Sequence, residues 1–102
     1  MDPAGLPALE EAIRHLHSAE PRFVESVPVR VELAGELLWD GEVQVFDLAG
    51  HPSSTRCYAW SYATEGEKRQ FVAVLHVPQV ESPEQAVRAY VVQASRKGRA
   101  RH

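Results

Sequence analysis

One cysteine, Cys57, stands among 102 residues. A lone thiol cannot close an internal disulfide, and it cannot supply the two or more thiolates on which structural zinc sites draw. The chain also lacks a His-x-x-His or Cys-x-x-Cys spacing and a glycine-rich phosphate loop, so no metal or other cofactor is expected. No window approaches ~18 uninterrupted apolar residues, the length a spanning helix needs. The start, MDPAGLPALEE, has no basic stretch followed by an apolar run. The chain therefore reads as cytoplasmic, without a membrane partner.

Basic charge is scarce as well, and unevenly spread. Of 11 Lys and Arg, four (Arg96, Lys97, Arg99 and Arg101) fall in the last seven residues, leaving seven basic against 14 acidic groups over residues 1–95. That segment carries a net charge of -7, hidden inside a whole-chain value of -3. Hydrophobic content of 44% and charged content of 25% are ordinary for a globular domain and favour neither disorder nor a fibrous repeat. The length suits one domain over residues 1–95, followed by a basic tail, 96–102, read as mobile.

Leu6, Leu9, Ile13 and Leu16 recur at helical spacing and make one apolar stripe, which Pro21 ends. Val27, Val29, Val31 and Leu33 alternate with Pro28, Arg30, Glu32 and Ala34, the period of a strand. A hairpin follows, ending at about Leu48, and its turn has two possible places. The chain reverses near Ala34-Gly35-Glu36, with a bulge at Gly41, or it runs on to Trp39 and reverses at Asp40-Gly41. AGHPSST is a loop by composition. Residues 56–63 and 69–77 then read as an antiparallel pair joined through TEGEK. Ser82-Pro83-Glu84-Gln85 is a capping box that starts a final helix, with Ala86, Val87, Tyr90, Val91 and Ala94 on its buried side and Gly98 as its terminator. The expected fold class is α+β: a two-layer sandwich of helix, four-stranded antiparallel meander and helix, with both helices on one sheet face.

The segment RCYAWSYA carries Tyr58, Trp60 and Tyr62 at every second position, so the three rings share one face of a strand. A register pairing Tyr58 with Leu75 adds Phe71, Ala73 and Leu75 to that face, and Phe46 and Gln44 join from the preceding strand. Cys57, Ala59 and Val72 then floor the other face, where short side chains leave room for the helices. With the helices there, Phe46, Tyr58, Trp60, Tyr62 and Phe71 look outward as a partner-binding surface for another protein or for a second copy. The opposite placement buries the rings beneath the helices, and a one-residue slip exchanges the partners.

The functional expectation is a non-catalytic protein-interaction or homodimerising module. The alternative is a single-stranded nucleic-acid-binding accessory that stacks bases on the same rings and adds the basic tail. The acidic body disfavours it, because phosphate neutralisation supplies much of such affinity. In outline, a helix, antiparallel strands and a closing helix, with GHP before a strand, is similar to the double-stranded RNA-binding domain. That family sets a lysine-rich helix start on phosphate, whereas Glu81 and Glu84 stand at the matching position, and it has three strands rather than four. Its function is therefore not carried over.

As a catalyst the chain offers one constellation, Cys57 opposite His76 with Asp47 alongside, the minimum for a thiolate nucleophile. All three fall at strand centres, where a cysteine is ordinarily a small buried hydrophobe, so no catalytic residue is assigned.

Overall fold

The computed structural model describes residues 5–63 and 69–100. The expected TEGEK turn and the last two residues of the tail lie outside them. The elements are α1 (Gly5–His17), β1 (Glu20–Leu33), β2 (Glu36–Ala49), β3 (Arg56–Ala63), β4 (Arg69–Leu75) and α2 (Pro83–Ala100). The strands form one antiparallel sheet in the order β1-β2-β3-β4. The α+β class and the four-stranded meander between two helices are therefore as expected.

The helices do not share a face. Ala86 and Val87 of α2 pack with Val29, Val31, Val43, Val45, Tyr58 and Trp60. Leu9 and Ile13 of α1 pack with Phe46, Leu48, Cys57 and Ala59. Tyr58 and Cys57 are adjacent in β3 and so point to opposite sides of the pleat, which puts one helix on each side. The expectation of both helices on one face is corrected, for a simple reason. Apolar side chains line both faces of the sheet, and each face must be covered.

The register explains why the faces look different from the sequence-based expectation. Tyr58 lies opposite Val74 and Trp60 opposite Val72, one residue away from the expected pairing. Phe46 lies opposite Cys57, and Val45 opposite Tyr58. This slip moves Phe46, Phe71, Ala73 and Leu75 away from the tyrosines and onto the side that α1 covers.

The first hairpin turns at Ala34-Gly35, where both residues have positive φ (53° and 80°), as the tight turns favoured between twisted strands require. A register shift between Val31 and Glu32 leaves Leu38 as the extra residue of β2, so the bulge is there rather than at Gly41. Gly41 has a different use: a Cβ at this position would stand 3.2 Å from the Trp39 ring, which lies over the glycine. A second shift, between Phe23 and Glu25, reverses the parity of β1. Pro21 and Phe23 thus face α1's side, while Glu25, Val27, Val29 and Val31 face α2's.

Capping at α2 is local and strong. The Gln85 N–H donates to Ser82 Oγ at 3.2 Å, and Gln85 Oε1 accepts from the Glu81 N–H at 2.7 Å. The helix runs past Gly98 to Ala100. At the other end of the chain, α1 closes on Ser18 in the left-handed region (φ 53°), whose N–H donates to Arg14 O at 3.0 Å. Leu16, expected on the buried stripe, is exposed.

Candidate functional site

The rings picked out by sequence are mostly interior. Tyr58 and Trp60 are each 2% exposed under α2, and Phe46 is fully buried on α1's side. Phe71 is half-buried, also on α1's side. Of the five, Tyr62 is the exposed one, at 41%. The five residues therefore do not form one face, and the outward aromatic surface is corrected: Tyr58, Trp60 and Phe46 cannot dock a partner or stack bases without unpacking a core.

What the rings do is hold α2 to the sheet. Trp60 meets Trp39 at 5.5 Å and Tyr90 at 5.4 Å between centroids, both edge to face, the geometry aromatic pairs prefer. A hydrogen bond with Tyr62, and then burial, push the Tyr90 phenol up to about 12. Trp60 Nε1 is a buried donor without a hydrogen-bond partner, which sets it among rings rather than among acceptors.

The thiol and imidazole are not brought together. Cys57 is fully buried on α1's side, and burial pushes its thiol up to about 12, away from a thiolate. His76 instead meets Tyr58, with Nδ1 2.6 Å from the hydroxyl. Asp47 is held by Arg56, whose Nε and Nη2 both lie 3.1 Å from Oδ1. An open cleft of about 500 Å³ is lined by Asp47, Leu48, Thr55, Arg56 and His76, but its two charged members neutralise each other. Among the described residues, no group of three or more His, Cys, Asp or Glu could hold a metal ion, and no helix is long and apolar enough to cross a membrane.

Both sheet edges are guarded. The Leu48 N–H donates to Thr55 O, so in β2 the even residues turn their backbone groups to β3 and Val43 and Val45 turn theirs to β1. Val27 and Glu25 answer them, as Val29 answers Gly41, which leaves Pro28 on the outer edge, where its missing N–H denies a partner strand a hydrogen bond. In β4, the His76 N–H donates to Arg56 O. The same alternation points the Ala73 carbonyl outward, and His17 of α1 donates to it from Nε2 at 2.9 Å.

Among the described residues, one face of the first hairpin is left bare. β3 pairs with β2 only from Gln44 to Asp47, so the rest of the first hairpin projects as a two-stranded arm. α2 covers one of its faces. On the other, Ser26, Pro28, Arg30, Glu32, Leu37, Asp40 and Glu42 are all exposed. Near the arm's end three leucines reach solvent: Leu37 (46% exposed) on the bare face, Leu33 (65%) on the other, and Leu38 (38%) at the bulge. Sequence reasoning missed this surface, although a signal was present: residues 31–55 contain five acidic residues and no Lys or Arg. Comparison with protein-family models, curated proteins and solved structures finds no match to this chain.

Proposed function

We propose that the chain is a non-catalytic protein-interaction module that docks through the bare face and leucine-bearing end of the β1–β2 arm. The observation that carries this reading is the contrast within one hairpin. Val29, Val31 and Val43 are sealed under α2, while Pro28, Arg30, Glu32, Leu37, Asp40 and Glu42 on the opposite face are exposed and three leucines sit near the tip. Exposed apolar side chains gathered with a polar surround are the anatomy of a docking surface. The guarded edges turn a partner away from strand addition and toward this face.

The test is a photocrosslinking residue carrying a benzophenone at position 37, with a second at position 11 on the exposed side of α1 as the control. In cells, the reading expects protein adducts at 37 and none at 11. Equal capture at both positions, or none at 37, would overturn it.

A further inference from the structure

We propose that the arm's occupant is the basic end of α2 from a second copy of this chain, exchanged reciprocally about a two-fold axis; this rests on the arm being the docking surface. Charge selects the occupant. Glu32 and Asp40 lie on the bare face with Arg30 between them, opposite Asp40 and 3.9 Å from Glu32, and Glu36 stands at the tip, which leaves the outer arm net acidic. The chain's own complement is concentrated in Arg96, Lys97, Arg99 and Arg101, four of its 11 basic residues. Arm against arm would set carboxylates together, which disfavours that pairing.

Geometry makes the contact one between copies. Within one chain, α2 is fixed to the other face of the arm by Ala86 and Val87 against Val29, Val31, Val43 and Val45. The arm's own backbone then separates the helix from Glu32 and Asp40. A second copy has no such restriction. The helix begins near Tyr58, which feels the charge of Glu81, and it passes Trp60 at Tyr90. It therefore runs toward the arm's tip. Arm and basic end lie at the same end of the molecule, so one two-fold axis beside them satisfies both contacts at once.

Sedimentation equilibrium of the full chain tests this at low and high salt, with three sets of variants. The first reverses the arm (Glu32→Lys with Asp40→Lys), the second reverses the tail (Arg96→Glu, Lys97→Glu and Arg99→Glu), and the third combines them. A dimer is expected at low salt that weakens as salt rises. Each single reversal should weaken it roughly tenfold, from the summed loss of several exposed charge contacts, and the combination should restore it. A monomer at every salt concentration, or a dimer indifferent to both reversals, would overturn the inference. The reading beneath it is separated by Leu37→Asp and the crosslinker at 37. If position 37 captures a different protein while the chain stays monomeric, only the choice of partner fails. If a dimer persists through charge reversal and Leu37→Asp, and position 37 captures nothing, the arm itself is wrong.

Discussion

The Tyr58 hydroxyl and His76 Nδ1 lie 2.6 Å apart, joining the centre of β3 to the residue that follows β4. Burial raises the Tyr58 phenol, with Arg56 opposing, so the ring stays neutral and shares a hydrogen bond rather than a charge. Tyr58→Phe keeps the packing and removes the bond. A loss of about 1 kcal/mol is expected, which in a domain of this size lowers the midpoint of thermal unfolding by ~4–8 °C.

Cys57 gives a pH dependence with a definite sign. Its folded thiol is pushed from the ordinary 9.0 up to about 12 by burial. Between those values the unfolded chain has released the proton that the folded chain keeps. Stability is therefore fully present below pH 9 and falls as pH rises toward 12, at up to about 1.4 kcal/mol per pH unit from this group. Denaturant titrations at alkaline pH should show a shallower fall in Cys57→Ala. For the same reason, iodoacetamide at neutral pH should label Cys57 only after unfolding.

At the tip of the arm, Ala34 holds φ at 53°, a region that costs a residue bearing a Cβ about 1–2 kcal/mol. Ala34→Gly should stabilise the protein by up to about 1 kcal/mol, since the glycine's greater freedom in the unfolded chain offsets part of the relief. Urea unfolding measures the gain.

The Trp39 ring over Gly41 makes the opposite prediction. Gly41→Val places carbon where the ring lies, 3.2 Å from the nearest ring atom at Cβ alone. The ring is itself held against Trp60, so the substitution should cost about 1–3 kcal/mol. A shift in tryptophan fluorescence should accompany the loss, because the Trp39–Trp60 contact is disturbed.

How far these features were legible in the sequence depends on whether the governing forces were local. The α2 start was, because Ser82, Pro83 and Gln85 settle it within four residues. So was the strand running through Val27, Val29 and Val31, because its alternation continues without a break into the arm. The earlier half of β1 was hidden: the bulge near Val24 reverses parity, so Phe23 and Val27 belong to opposite faces although their spacing is even. The ladder of Tyr58, Trp60 and Tyr62 was read correctly as one face of a strand. Its environment was not, because the partner on β4 depends on a long-range register that a single residue's slip reverses. Both helices were then placed on the face of short side chains, whereas one lies on each side of the sheet. The acidic arm was missed because alternating valines explained the segment as core, and the opposite face of the same strand drew no attention.

The most direct measurement of the central claim is a dilution series of backbone amide shifts by NMR on the full chain at low salt. Shifts that depend on concentration should fall on residues 32–42 and on the last turns of α2, with residues 56–62 unmoved. Changes confined to residues 56–62, with the arm silent, would return the docking surface to the aromatic strand and contradict the account.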